Sequence, residues 1–239
     1  MPAVAIAKLN KGSGAEMKIS SRARAALLLL AVLWLLIQAM LSGIAYVNQY
    51  RLNATLNRWY EDKTPPPVDK WLVMEKLALA SLEKNESNAD IVNATGRLYD
   101  YRATNMVSDR KQQRVYLQKA LGYYKQVIRL RPAWPYGWMN IAISKGRLSE
   151  IDEEYKQALL QLLRLGPWEE NTLPVIIQLS LPTWPYLDSD TRQPLLDYFI
   201  RAQESSRKME VSQTVLKAGQ LKLYCALVAH KGAKASFCP

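Results

Sequence analysis

The stretch AALLLLAVLWLLIQAML occupies residues 25–41, and no charged residue occurs between Ala25 and Val47. Because an α-helix rises about 1.5 Å per residue, this run is long enough to cross the ~30 Å hydrocarbon core of a bilayer. Tyr46 and Tyr50 follow at the level where the aromatic belt of a membrane-spanning helix lies. The sequence therefore predicts a single transmembrane helix over residues 25–47, with the lipid bilayer as a partner.

Positive charge is unevenly distributed around this helix. The net charge of the chain is +11, and residues 1–24 contain Lys8, Lys11, Lys18, Arg22 and Arg24. Since cationic flanks stay in the cytoplasm, we expect residues 1–24 to be a basic cytoplasmic tail. The rest of the protein is then extracytoplasmic, held by this helix in the inner (cytoplasmic) membrane. A cleaved signal peptide is the rival interpretation, but its apolar region spans only about 7–15 residues, so an anchor is favoured.

The segment that follows the membrane helix has two parts. Residues 48–61 are polar and can continue the helix beyond the bilayer. Pro65–Pro67 end it, because proline lacks the amide hydrogen that a helix needs. We expect residues 48–67 to form a juxtamembrane helix and a proline-rich spacer.

Apolar residues recur at helical spacing through the rest of the chain. One stripe contains Leu117, Ala120, Leu121 and Tyr124, and others begin at Trp138, Ile151 and Leu195. A one-sided apolar face must pack against a neighbour, and no stretch alternates long enough to form a strand. The predicted fold class is all-α, with a helical domain over residues 68–204 and a C-terminal helix and basic tail over residues 205–239. Ser149, three residues before Asp152, predicts a helix that begins at Glu150.

Two prolines indicate a repeat. Pro132 and Pro167 each follow a helical stripe and lie 35 residues apart, close to the period of about 34 residues of the tetratricopeptide repeat. Ala120 and Tyr124 stand where that repeat prefers a small and an aromatic residue, whereas Tyr155 stands where a small residue is expected. We expect tetratricopeptide-like helical hairpins with degenerate sequence. A plain helical bundle without repeats is the alternative.

Three proline–tryptophan turns carry a resemblance to a known family. They are Arg131-Pro132-Ala133-Trp134-Pro135-Tyr136-Gly137-Trp138, Gly166-Pro167-Trp168-Glu169-Glu170 and Leu181-Pro182-Thr183-Trp184. Over about residues 110–200 the chain resembles the bacterial exopolysaccharide-biosynthesis family called VpsP, whose members are encoded with capsule or biofilm-matrix machinery. The resemblance implies a pathway and transfers no catalytic residue.

The tryptophans of these turns have two interpretations. Large aromatic rings are usually well buried, so we expect Trp134, Trp138, Trp168 and Trp184 to fill the corners between helices. Proline then fixes each turn. A stacking platform that contacts polysaccharide directly is the alternative.

Few residues suggest catalysis. The one histidine, His230, cannot build a histidine-based metal site. The pairs Glu153/Glu154 and Glu169/Glu170 invite comparison with the two carboxylates of a glycosidase, but each pair lies where a helix begins and its dipole favours negative charge. Motifs for nucleotide binding, a catalytic serine or nucleic-acid binding do not occur. We expect a protein that is not an enzyme and that has no cofactor, metal or nucleic-acid partner.

The two cysteines, Cys225 and Cys238, lie in the part of the chain expected outside the cytoplasm. Disulfides persist in such oxidising compartments, so the pair is expected to close a small loop. A buried Cys225 with a free Cys238 is the alternative.

Two functional classes fit these observations. The first is an accessory or scaffold protein that binds protein components of a polysaccharide synthesis or export complex, because repeat helices offer an extended surface. The second is a general envelope protein that assists the folding or assembly of secreted or membrane proteins. The resemblance favours the first.

Overall fold

The computed structural model describes residues 21–62, 64–169 and 171–239. The regular elements within these ranges are all helices, which confirms the predicted all-α fold. The α-helices are α1 (Ser21–Glu61), α2 (Val68–Lys84), α3 (Ala89–Tyr101), α4 (Arg110–Leu130), α5 (Pro135–Leu148), α6 (Glu153–Leu165), α7 (Thr172–Thr183), α8 (Ser189–Glu204), α9 (Lys208–Lys217) and α10 (Leu221–His230). A π-helical segment (Arg102–Met106) follows α3, and a 3₁₀ turn (Trp184–Tyr186) follows α7.

The chain divides into two compact units, and the second comprises Ile44–Pro239. In the first unit, α1 carries the apolar stretch, and its side chains from Ser21 to Gly43 are exposed. Among the described residues, α1 is the one helix that is long and apolar enough to cross a membrane. The basic tail predicted for residues 1–24 lies outside the described residues except for its last four.

The final turns of α1 belong to the second unit and pack into its core. Leu52, Leu56 and Trp59 are all buried. The hydroxyl of Tyr101 on α3 donates to the Trp59 carbonyl at 3.1 Å. The helix ends before Pro65–Pro67, as predicted. These turns therefore supply part of the domain's core.

Carboxylate and amide side chains determine where several helices begin. Asn88, Asp109, Asp152 and Asp188 each accept a hydrogen bond from a backbone amide in the first turn of α3, α4, α6 and α8. The predicted helix start at Glu150 is wrong, because Asp152 caps α6 and the helix begins at Glu153. Ser149 instead ends α5, in the left-handed region with φ 59°.

Successive helices pack against one another through the second unit. The closest contacts join α3 to α4, α4 to α5 and α5 to α6, while α5 also contacts α7, α6 contacts α8 and α7 contacts α9. Gly96 allows α3 to approach α4, because a Cβ atom there would lie 2.7 Å from the ring of Tyr124. The sequence from α3 to α9 thus folds as a stack in which α3 to α6 each meet the next helix, and α5, α6 and α7 also meet the helix after the next.

Tyr155 stands where the predicted repeat would have a small residue. Its ring is fully buried, and its hydroxyl donates to the Leu179 carbonyl of α7 at 2.9 Å. Burial raises the pKa of Tyr155 to about 12. The aromatic ring fills space between α6 and α7 that a small residue would leave empty.

The C-terminal residues fold back onto α10. Cys225 and Cys238 form a disulfide with their Cα atoms 5.7 Å apart. The ring of Phe237 stacks on Tyr224, and the hydroxyl of Tyr224 donates to the Phe199 carbonyl of α8 at 3.1 Å. The tail, predicted as one helix and a basic segment, contains the two helices α9 and α10.

Candidate functional site

The first proline–tryptophan turn connects α4 to α5 and is tied to α3. Arg131 makes a bidentate ion pair with Asp90, with N–O distances of 2.7 and 2.8 Å. The indole N–H of Trp138 donates to the Pro132 carbonyl at 2.8 Å, which closes the turn on itself. The residues of this turn therefore fix the positions of three helices.

The second turn connects α6 to α7 and packs on the first. A Cβ atom on Gly166 would lie 2.7 Å from Cβ of Pro135, so only glycine allows this contact. The hydroxyl of Tyr198 donates to the Pro167 carbonyl at 2.8 Å, and Arg207 donates to the Trp168 carbonyl at 3.1 Å. The two turns thus meet, and α8 and the start of α9 hold the second in place.

The tryptophans of the turns differ in exposure. Trp184 is 9% exposed, and its ring centroid lies 6.1 Å from that of Phe199, as expected for a ring that fills the corner between two helices. Trp134 and Trp138 are half-buried. The expectation that Trp168 is buried is wrong, since 45% of this residue is exposed, although its ring lies 5.5 Å from that of Tyr198. The physical reason is that Tyr198 and Arg207 secure this turn through its carbonyls, without the indole being enclosed.

A polar pocket lies between the end of α1 and helices α3, α4 and α5. It encloses about 220 Å³ and is lined by Tyr60, Arg97, Asp100, Tyr124, Asn140, Ile143, Ser144 and Arg147. Nη1 of Arg147 lies 2.5 and 2.6 Å from the two carboxylate oxygens of Asp100, which joins α3 to α5. Arg97 donates to Asn53 at 3.1 Å and to Asn57 at 2.9 Å, which joins α3 to α1.

The hydroxyl groups of this pocket are kept in their neutral form. Burial, together with the negative charge of Asp100, raises the pKa of Tyr60 and of Tyr124 above the ordinary value for a phenol. Both remain O–H donors at neutral pH. Ser144 is fully buried, and its hydroxyl has no hydrogen-bond partner among the described residues.

An open basic groove of about 630 Å³ adjoins the pocket and shares Arg147 with it. Its lining includes Arg110, Lys111 and Arg114 at the start of α4 and Leu148 at the end of α5. Arg114 is paired with Glu150 at 2.6 Å. Cations in the first turn of a helix are disfavoured by its dipole, so this arrangement does not stabilise α4.

Lys145 lies at the corner between α5 and α6, where it is nearly fully buried. Its ammonium group lies 2.7 Å from Asp152, 2.9 Å from Glu154 and 3.5 Å from Glu150. Burial alone lowers the pKa of Lys145, but hydrogen bonds to Asp152 and Glu154 outweigh it and raise the pKa overall. Burial conversely raises the pKa of those two carboxyls, and their lysine partners bring it below the ordinary range. This cluster stabilises the corner.

The acidic residues that invite comparison with a glycosidase lie apart from the pocket. Glu153 pairs with Lys156 at 2.5 Å, and Glu154 pairs with Lys125 at 2.8 Å as well as with Lys145. Glu169 accepts a hydrogen bond from Tyr136 at 3.3 Å, and Glu170 lies outside the described residues. His230 is exposed at the end of α10. Within the described part of the chain, no three His, Cys, Asp or Glu side chains are grouped to hold a metal ion.

The sequence does not reveal the pocket. Tyr60 comes from α1, Asp100 from α3 and Arg147 from α5, and their spacing matches no motif. The available signal is Asp100 itself, a carboxylate placed between two buried tyrosines, Tyr99 and Tyr101. Chemically, the pocket presents a carboxylate, guanidinium groups, an amide and hydroxyls to one small volume, which suits recognition of a polar ligand.

No protein-family model matches the chain, and no curated protein matches it significantly. The resemblance of the proline–tryptophan turns to the exopolysaccharide-biosynthesis family therefore stays a prediction.

Proposed function

We propose that the protein is a non-catalytic, membrane-anchored scaffold in the biosynthesis and export of an exopolysaccharide. In this proposal α1 spans the inner membrane once, the N-terminus is cytoplasmic, and the helical unit is extracytoplasmic. The unit binds protein components of the synthesis or export complex through a tetratricopeptide-like surface.

One observation carries the scaffold assignment, namely the stacking of α3 to α9. Each of the helices α3 to α6 contacts the next one along the chain. In addition α5 contacts α7, α6 contacts α8 and α7 contacts α9, as in solenoids, which offer long binding surfaces. The period between Pro132 and Pro167 and the close packing of Gly96 on Tyr124 are consistent with degenerate tetratricopeptide-like hairpins. The irregular π-helical segment after α3 and the bulky Tyr155 are the departures from a regular repeat.

The membrane assignment is supported by the exposed apolar surface of α1. Side chains from Leu27 to Met40 include leucine, valine and tryptophan residues that are about half exposed or more. A surface this apolar is unfavourable in water and favourable in hydrocarbon. The cations before residue 25 and the disulfide between Cys225 and Cys238 both support an extracytoplasmic helical unit.

The non-catalytic assignment is supported by the surroundings of the candidate acids. Glu153 is paired with Lys156. Burial raises the pKa of Glu154, but its ion pairs with Lys125 and Lys145 bring that pKa below the ordinary range, which makes this carboxyl group a poor general acid. The positions of Glu153 and Glu154 in the first turn of α6 agree with a role in stabilising that helix.

Deletion of the gene tests the pathway. Surface polysaccharide should fall sharply, while resistance to detergents stays normal. Copurification from detergent extracts should recover synthesis or export proteins with the wild-type chain. Normal polymer output together with general detergent sensitivity would instead support the folding or assembly role in the envelope.

A further inference from the structure

The pocket between α1, α3, α4 and α5 contains a buried hydroxyl without a partner. Ser144 is 0% exposed, lines the pocket, and forms no hydrogen bond with a described residue. The other buried serines of the helices, Ser81 and Ser180, donate to carbonyls of their own helices at 2.7 and 2.6 Å. An unsatisfied buried polar group destabilises a fold. Nε of Arg102 and Oε1 of Gln203 are unpaired as well, but Ser144 lines this pocket, where a ligand would supply the missing bond.

The groups around Ser144 are arranged for a ligand with many hydroxyl groups. Asp100 offers carboxylate oxygens beside the guanidinium of Arg147, so acceptors and donors lie next to each other. The phenols of Tyr60 and Tyr124 and the amide of Asn140 add further donors and acceptors. Adjacent hydroxyls on a sugar ring each need one donor and one acceptor, and the residues that line this pocket provide both.

The size of the pocket limits what it can hold. Its volume of about 220 Å³ is below the roughly 300–1,000 Å³ of sites for drug-sized ligands, so it accommodates one ring. An extended peptide needs a longer groove with apolar subsites, and Ile143 is the single aliphatic residue in the lining. A small inorganic anion would meet the carboxylate of Asp100 at close range.

The adjoining groove indicates that the ring belongs to a longer, acidic chain. Arg147 lines both the pocket and the groove, and Arg110 and Lys111 project into the groove without an ion pair to a described residue. These cations lie at the helix end where they do not stabilise α4. A polymer with carboxylate groups would neutralise the positive charges of Arg110 and Lys111.

We infer that the pocket and groove bind a segment of an acidic polysaccharide, with one pyranose ring in the pocket and neighbouring acidic units along Arg110 and Lys111. The inference deepens the proposed function and rests on it for the source of the polymer. It adds direct contact between scaffold and polysaccharide at a site whose lining does not include the exposed Trp168.

The test uses the full chain purified in detergent and oligosaccharides made by partial hydrolysis of the host's surface polysaccharide. Calorimetric titration should detect binding by the wild type. Ser144→Ala should weaken it about three- to tenfold, the value of one neutral hydrogen bond, while leaving the melting temperature unchanged or higher. Ser180→Ala, which removes a buried hydroxyl outside the pocket, is the matched control and should bind like the wild type.

Further binding measurements decide the chemical class of the ligand. Chemical reduction of the carboxylates in the oligosaccharides should weaken binding at least tenfold. Equal binding of the reduced oligosaccharides, displacement by inorganic phosphate, or displacement by unfolded carboxymethylated casein would each overturn the inference. So would an absence of wild-type binding at millimolar oligosaccharide or an unaffected Ser144→Ala variant. None of these results would alter the deletion phenotype or partner copurification, which test the proposed function separately.

Discussion

Gly96 is the residue at which α3 and α4 come closest, and its missing side chain can be tested directly. Carbon atoms of the Tyr124 ring lie 2.7, 2.9 and 3.2 Å from the position that a Cβ atom would take. We predict that Gly96→Ala lowers the free energy of unfolding by about 1–3 kcal/mol through overpacking. Thermal unfolding followed by circular dichroism measures the change.

Gly122 on α4 is the matched control for this prediction. An added Cβ atom meets nothing within 4 Å there, so Gly122→Ala should stabilise the protein by about 0.5–1 kcal/mol through helix propensity. Equal effects of the two substitutions would contradict the close packing of α3 on α4.

Lys145 gives a prediction with a pH signature. Lys145→Met keeps the apolar stem but removes the lysine partner of Asp152 and one of the two cationic partners of Glu150 and of Glu154. The free energy of unfolding at pH 7 should fall by roughly 1–3 kcal/mol, between the values for exposed and buried ion pairs. Lys156→Met, which removes a lysine paired with the more exposed carboxylates of Glu153 and Asp188, should have a smaller effect.

The direction of the pH dependence follows from the pKa shifts at this corner. In the wild type the pKa values of Asp152 and Glu154 are lowered in the folded state. Their contribution to folding stability is therefore complete above the ordinary carboxyl pKa, and it is lost as the pH falls through the lowered pKa values. In Lys145→Met the crowded carboxylates are expected to have raised pKa values, and stability then declines as pH rises. The difference in the free energy of unfolding between the wild type and Lys145→Met should therefore become smaller from pH 7 to pH 4. A difference that does not change with pH would contradict the stabilising role of the ion pairs around Lys145.

At the scale of elements, α10 and the C-terminal tail depend on one covalent bond. The disulfide between Cys225 and Cys238 closes a short loop, which contributes about 3 kcal/mol in the chain-entropy model. We predict that protein purified without reductant resists thiol labelling until it is both reduced and unfolded. Two reactive thiols in the native protein would show that the bridge does not form in the cell.

The elements also show what sequence patterns can and cannot predict. The stripe around Leu117 and Tyr124 locates α4 closely, because an apolar face repeats at the period of the helix itself. The start of α6 is misplaced because both Ser149 and Asp152 are capping residues, and only tertiary packing around Lys145 distinguishes between them. The pocket is invisible in the sequence because it depends on the last turn of α1 lying against α3 and α5.

For the whole molecule, the proposed orientation places the two ends of the chain in different compartments. The cations before residue 25 and the uncharged stretch to Val47 predict a cytoplasmic N-terminus. A reporter that is active only in the periplasm should therefore be active when fused after Pro239, and a reporter that is active only in the cytoplasm should be silent there. The opposite pattern would reverse the topology.

The central claim, that the protein acts as a scaffold, predicts which substitutions abolish its function. Catalysis collapses when one positioned acid or base is removed, whereas a scaffold fails when its surface or fold is disturbed. Glu153, Glu154, Glu169, Glu170 and His230 should each tolerate alanine. Ala120→Trp should abolish function, because Ala120 is fully buried between packed helices and the indole would overpack them by about 1–3 kcal/mol or more.

The most direct test is the amount of surface polysaccharide per cell in a deletion strain that is complemented with each variant at equal protein level. The account predicts near-normal polymer with every single acidic or histidine substitution, and loss of polymer together with loss of copurifying partners with Ala120→Trp. Loss of polymer from one acidic substitution alone, with protein level and partner recovery unchanged, would contradict the scaffold assignment and indicate an enzyme.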